Sequence, residues 1–191
     1  MKSPRLLLIA AVLLSSVAAR HRAVVTPPER QPLADVFSAS NPRDVESTHL
    51  ALDLTVDFDA QVLRGSVTHT LLHHDAARQF IVDTNGLDVD GVTADGNAAT
   101  WSFGTPAANG TPMIIDIAPT TQTVRIDYRT HSDAAGLHWL TAQQTRAGTM
   151  PAMWSENEPD MARTWIPLQD TPSTRTTYDV RRSTRPPARW R

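Results

Sequence analysis

With 191 residues, 40% of them hydrophobic and 20% charged, the chain is long enough for one domain with a sizeable core. The absence of cysteine excludes a disulfide framework and a thiolate zinc site. All 20 acidic residues but only 11 of the 18 basic ones lie between residues 20 and 180, so this body is acidic and nucleic acid is not expected as a partner.

The first 19 residues have the pattern of a secretory signal peptide. Lys2 and Arg5 precede the apolar run at residues 6–14, and small residues follow up to Ala19. This run is well short of the roughly 20 residues of a membrane-spanning helix, so no stable membrane anchor is predicted. We predict cleavage after about Ala19 and export to the periplasm or the extracellular space. Residues 20–46 are rich in proline and polar residues and are predicted to form an extended lead-in.

Residues 47–180 are predicted to form an all-β domain, an antiparallel β-sandwich or saddle. From residue 49 to residue 58, apolar side chains occupy the even positions, and this period of two indicates a strand with one buried face. A turn at residues 59–61 and a second alternating segment at 63–71 predict a long hairpin. Further short strands, separated by turn residues, are predicted around residues 80–82, 87–92, 101–103, 113–117 and 124–128.

Seven histidines raise the question of a metal site. His69, His73 and His74 are close in sequence, but residues i and i+4 of a strand lie about 13 Å apart, whereas zinc ligands lie about 2 Å from the ion. We predict that these are solvated strand side chains. No histidine is followed by glutamate, so the H-E-x-x-H motif of zinc proteases is absent, and neither metal ligands nor catalytic residues are predicted in this chain.

Glu156 and Glu158 are the remaining candidates for chemistry. Residues i and i+2 of a strand point the same way, and Pro159 favours an extended conformation of the residue before it. Two carboxylates on one face can hold a cation, an ammonium group or a shared proton. A solvated acidic loop is the alternative interpretation.

Residues 154–178, WSENEPDMARTWIPLQDTPSTRTTY, resemble the zinc aminopeptidases of peptidase family M1, in particular the branch that includes leukotriene hydrolase. In that family a segment Glu/Gln-x-x-x-x-Arg-x-x-x-Pro-x-x-Asp-x-Pro ends the N-terminal β-saddle domain. The matching residues here are Glu158, Arg163, Pro167, Asp170 and Pro172. The resemblance covers roughly residues 45–180.

The resemblance implies a domain that leads into a zinc-containing catalytic domain and helps to bind the amino end of a peptide substrate. Glu158 would hold the free α-ammonium group in a charge-assisted pair, which places the first peptide bond at the zinc. Asn157 and Glu156 flank this residue in the predicted substrate-binding loop. Glutamate rather than glutamine at this position favours peptide cleavage over epoxide hydrolysis.

The chain departs from the family beyond this segment. It contains neither the G-x-M-E-N strand nor the H-E-x-x-H helix, so we predict that it is truncated before the catalytic domain and by itself binds no zinc and cleaves no peptide. Residues 181–191, with five Arg and two Pro, are predicted to be an aberrant basic tail that follows a frameshift or gene break. The alternatives are a free-standing exported β-sandwich that binds peptides or another ligand, and a surface protein whose basic tail binds anionic lipid.

Overall fold

A computed structural model describes residues 35–146 and 148–184. The predicted signal peptide at residues 1–19 and most of the predicted lead-in lie outside these residues. The regular elements within them are two short 3-10 helices, at Ala142–Gln144 and Ala162–Thr164, and eleven strands. The strands are β1 (Val45–Asp57), β2 (Val62–His73), β3 (Gln79–Thr84), β4 (Leu87–Ala94), β5 (Asn97–Ala98), β6 (Trp101–Phe103), β7 (Thr111–Asp116), β8 (Thr123–Thr130), β9 (Leu137–Leu140), β10 (Ala152–Ser155) and β11 (Thr177–Thr184). In this part of the chain, neither helix has the length or the apolar character to cross a bilayer.

The strands form three sheets. The largest has the order β11-β1-β2-β8-β4-β5, the second has the order β3-β7-β6, and the third pairs β9 with β10. All of these pairings are antiparallel except that of β1 with β11, which is parallel. The predicted all-β class is therefore confirmed, and so is the long hairpin, which β1 and β2 form around a turn at residues 58–61.

The core lies between the inner faces of the two larger sheets. Alternate side chains of β1 point into it, and Leu50, Leu52 and Leu54 are at most 5% exposed. Fully buried side chains of β3 and β7 face them, namely Phe80, Val82, Met113 and Ile115. The rings of His69 on β2 and Phe80 on β3 are in edge contact at 5.1 Å between centroids, which joins the two sheets. Because each such side chain stabilises the fold by about 1.5–3 kcal/mol, this core is the main source of stability.

His69 is part of this core, so the prediction that it is a solvated strand side chain is wrong. It is fully buried. Its Nε2–H donates to the carbonyl oxygen of Pro167 at 3.1 Å, and its Nδ1 accepts from the hydroxyl of Ser47 at 2.9 Å. Burial lowers the pKa of His69 to about 4, because the imidazolium would lose its hydration. His73 is half-buried and His74 is exposed. The prediction of a solvated side chain therefore fits His74 better than His73.

The last strand, β11, runs through Arg181 and Arg182 to Thr184 and pairs with β1 over eight residues. The predicted boundary between residues 180 and 181 therefore does not coincide with the end of this strand. All residues of β11 are exposed, and it is an edge strand of its sheet. An edge strand tolerates charges that a buried strand would not, which explains why its sequence lacks the apolar alternation seen in β1.

Gly65 marks a close approach of two backbones. Its φ is +151°, and a Cβ at this position would overlap the carbonyl oxygen of Asp53 on β1. Gly65→Ala is therefore expected to lower the free energy of unfolding by about 2 kcal/mol, because the backbone must move or remain strained. Gly91 is a matched control on β4, since a Cβ there meets nothing within 4 Å. Urea unfolding of both variants checks this expectation, and equal losses would contradict it.

Candidate functional site

The candidate residues lie in the loop that follows β10, namely Glu156, Asn157 and Glu158. β10 ends at Ser155, and the N–H of Glu156 donates to the carbonyl oxygen of Gly136 at 2.9 Å. Glu158 begins a turn at residues 158–161 that leads into the second 3-10 helix. The strand geometry expected for the two glutamates is therefore not present, because the strand ends before both of them.

Hydrogen bonds fix this loop on both sides. The Oδ1 of Asn157 accepts from the indole N–H of Trp165 at 2.9 Å, and its backbone oxygen accepts from the N–H of Met161 at 3.1 Å. The hydroxyl of Thr164 accepts from the N–H of Gly136 at 2.9 Å and donates to the oxygen of Met161 at 2.7 Å. A Cβ on Gly136 would lie only 2.6 Å from that oxygen. The side-chain oxygen of Asn157 thus stabilises the loop, and its contact with a substrate stays a prediction.

The two carboxylates of the loop have different surroundings. Glu158 is exposed, and within the described ranges it has neither a hydrogen bond nor an ion pair through its side chain. The Glu156 side chain is 61% exposed, and its Oε2 lies 4.0 Å from the Nε2 of His138. His138 stacks on Trp154 with the ring centroids 4.9 Å apart. Sequence patterns did not reveal this small cluster, because its members meet only through the pairing of β9 with β10.

Arg163 stabilises the segment that follows the loop at residues 156–158. Its guanidinium is buried, and the Nε donates to the Oδ2 of Asp170 at 3.0 Å. The Nη1 donates to the carbonyl oxygens of Phe37 at 2.7 Å and Asn109 at 3.2 Å, and the Nη2 donates to the backbone oxygen of Asp170 at 2.9 Å. One side chain therefore joins the segment before β1, the connection between β6 and β7, and the segment after β10. The resemblance matched Arg163 and Asp170 without a role, and in the structure they hold the fold together.

Asp83, at the end of β3, extends this network. Its carboxylate accepts from the N–H of Asp170 at 3.1 Å and from the N–H of Ala39 at 3.0 Å. It also accepts from the hydroxyl of Ser38. Burial raises the pKa of the Asp83 carboxyl, although these donors and the nearby charge of Arg163 oppose the rise. The backbone of Asp83 also exchanges two hydrogen bonds with Leu168. The base of the loop that carries Glu158 is therefore anchored to the core.

No three His, Asp or Glu side chains of residues 35–146 and 148–184 are grouped so that they could hold a metal ion. The resemblance places the zinc in the catalytic domain that follows this segment in the family, and the absence of zinc from this chain stays a prediction.

Known proteins are similar to most of this chain. The sequence profile of the peptidase M1 N-terminal domain matches residues 46–185. Leucine aminopeptidase 2 of Yarrowia lipolytica is 32% identical over 158 residues, which are 81% of this chain and 24% of that protein. Leukotriene A-4 hydrolase of Xenopus laevis is 32% identical over 154 residues, which are 76% of this chain and 25% of that protein. The chain thus spans about a quarter of the length of the curated relatives it matches.

Solved structures share the fold. Native leukotriene A4 hydrolase from Saccharomyces cerevisiae superposes with a TM-score of 0.74 at 31% identity, over 82% of this chain and 26% of that one. An M1 zinc metallopeptidase from Deinococcus radiodurans superposes with a TM-score of 0.57 at 21% identity, over 74% of this chain and 33% of that one. At the lower identity the likeness shows the fold alone.

Proposed function

Because the chain belongs to the peptidase M1 N-terminal domain family, we propose that it holds the free amino end of a peptide as the substrate-anchoring part of a zinc aminopeptidase. The proposed ligand group is the α-ammonium of the peptide, and the proposed anchor is the carboxylate of Glu158. The similarity to proteins named leucine aminopeptidase 2 supports a peptide as the substrate.

The observation that carries this proposal is the combination of a free carboxylate with a fixed loop. Glu158 is exposed and, in the part of the chain that the structure describes, has no partner that neutralises its charge. The backbone around it is held by the bonds of Asn157 with Trp165 and Met161. A carboxylate presented in this way accepts charge-assisted hydrogen bonds from an ammonium group, and a loop that is already ordered loses little conformational entropy on binding.

Glu156 and Asn157 are proposed to complete the contact surface. Glu156 adds a second negative charge beside Glu158, which raises the local concentration of cationic groups. The Oδ1 of Asn157 is used by Trp165, but its Nδ2 can donate to a peptide carbonyl. A free amino end would then bind better than an acetylated one, which has no positive charge.

We propose that this chain binds peptides without cleaving them. The H-E-x-x-H string, which supplies two zinc ligands and a general base in zinc peptidases, does not occur in its sequence. In the relatives, we assign cleavage to the roughly three quarters of each protein that this chain does not match. A signal peptide at residues 1–19, and export through it, stay predictions.

Titration with a short peptide, free or N-acetylated, tests the proposed anchor. We expect the free peptide to bind with a Kd on the order of 1 mM, because one exposed carboxylate–ammonium pair contributes little free energy. Either N-acetylation or Glu158→Gln is expected to weaken binding about three-fold. Chemical shift changes in NMR spectra measure the affinity, and mass spectrometry of the same samples is expected to show an intact peptide.

Asp160→Asn is the matched control, because it removes one negative charge from the same turn. We expect this variant to weaken binding of the free peptide clearly less than Glu158→Gln does, because only the general negative charge near the anchor is reduced. Equal affinity for the free and acetylated peptides would contradict the amine anchor and favour a general peptide-binding module. Hydrolysis of the peptide would contradict the proposal that the chain binds without cleavage.

A further inference from the structure

The outer edge of β11 is open. On one side β11 pairs with β1, and on the other side no described strand lies next to it. Tyr178 is 69% exposed and Val180 is 51% exposed. An edge of this kind presents a row of free backbone N–H and C=O groups to which a further strand can add.

The order of side chains along β11 is self-complementary. Asp179 precedes Val180 and Arg181 follows it, while Tyr178 and Arg182 lie one position further out on either side. When the strand is reversed about Val180, the position of Asp179 coincides with that of Arg181. The position of Tyr178 coincides with that of Arg182. Opposite charges and cation–π pairs directly across two strands are stabilising.

We infer that β11 pairs in antiparallel orientation with β11 of a second copy of this chain, on a two-fold axis at Val180. Asp179 then lies opposite the partner's Arg181, and Tyr178 lies opposite the partner's Arg182. Each contact occurs twice because the interface is isologous. The six-stranded sheet of one copy continues into that of the other.

Charge selects this register over its neighbours. In a two-fold antiparallel pair, residues directly opposite each other must point to the same face of the sheet. The two-fold axis can therefore pass through a residue position but not between two residues. An axis at Asp179 would bring two carboxylates together, and an axis at Arg181 would bring two guanidinium groups together. Like charges directly opposite are destabilising, which leaves Val180 as the favoured centre.

The same register continues the apolar face of the sheet. Tyr178 and Val180 are the cross-strand partners of Leu50 and Leu52 and lie on their face of the sheet. Contact between the two Val180 side chains removes part of their exposed surface from water. An interface of one eight-residue strand is smaller than that of a typical stable complex, so we expect a weak dimer that forms at high protein concentration.

Charge reversal tests this inference by sedimentation velocity over a range of protein concentrations. Asp179→Arg and Arg181→Asp each place like charges opposite each other at two positions, and each is expected to raise the dimer Kd about ten-fold. The double variant restores opposite charges in the inferred register and is expected to return the Kd to within about three-fold of the original value.

The double variant also separates dimer contacts from contacts within one copy. Asp179 lies 3.6 Å from His49, and Arg181 lies 3.9 Å from Asp53 on β1, and the double variant does not restore these pairs. Asp59→Arg, in the turn between β1 and β2, is the control for a change of net charge and is expected to leave the Kd unchanged. A chain that is monomeric at every concentration, or a double variant as weak as the single ones, would overturn the inference.

Discussion

Replacement of Arg163 by methionine is expected to lower the free energy of unfolding by about 4 kcal/mol. Methionine retains much of the apolar stem but has no hydrogen-bond donor. The largely buried carboxylate of Asp170 would then lack its cation, and the carbonyl oxygens of Phe37 and Asn109 would lose their donor. Leaving a buried charge unpaired costs far more than losing an ion pair on the surface.

Urea unfolding followed by tryptophan fluorescence measures this loss. Arg125→Met is the matched control, because Arg125 forms an exposed ion pair with Asp127 at 2.7 Å. The control is expected to lose less than about 1 kcal/mol. Since small domains are stable by only about 5–15 kcal/mol, a variant at Arg163 that does not fold agrees with the expectation. Similar losses in the two variants would contradict it.

Lowering the pH from 7 to 4 is expected to reduce the free energy of unfolding by about 3 kcal/mol through His69. The pKa of this histidine is about 4 in the fold and about 6.5 in the unfolded chain. As the pH falls, the unfolded chain takes up the proton first, so protonation favours unfolding. The stabilising contribution is complete above pH 6.5 and is lost as the pH falls through this window towards 4.

The comparison of the unsubstituted chain with His69→Gln isolates this effect. Asp83 acts in the opposite direction, because its raised pKa stabilises the fold at acidic pH and this contribution is lost as the pH rises through that pKa. Both chains contain Asp83, so the difference between their urea midpoints reports on His69. The variant is expected to have a flatter dependence on pH. An NMR titration of the His69 ring with a midpoint near 6.5 would contradict the expectation.

Local patterns in the sequence were sufficient for most of the strands. In β1 apolar residues of the buried face alternate with mostly polar residues of the other face, and β2 follows after a short turn. Both strands and their pairing could therefore be predicted. The parallel pairing of β1 with β11 could not be predicted in this way, because the paired residues are 128 positions apart. No local signal indicates a partner at that distance.

His69 illustrates why polar core residues are missed. Its position in the alternation places it on the same face as Val67, but a polar side chain on a strand is usually solvated. Its burial is made possible by hydrogen bonds to Ser47 and Pro167, which lie 22 and 98 positions away in the sequence. These partners can be recognised only after the chain has folded.

The resemblance to the family indicated the role of residues 156–158 more clearly than the spacing of their side chains did. Glu158 and Glu156 were identified from the sequence, but the end of β10 at Ser155 changes their geometry. The support beneath them was not foreseen, because Arg163 binds carbonyl oxygens 126 and 54 positions away. The residue types of a loop can thus be read from sequence, whereas the contacts that order it come from distant segments.

The parallel pairing of β1 with β11 has a consequence for how the chain folds during synthesis. β1 is made early, and its outer edge has no partner until the ribosome has added the residues of β11, 128 positions later. At about 5–20 residues per second this interval is on the order of 10 s. The edge of β1 is then open to other nascent chains and to chaperones that bind extended segments. Closure of such a long loop also costs entropy before it gains contacts, so β11 is expected to dock late.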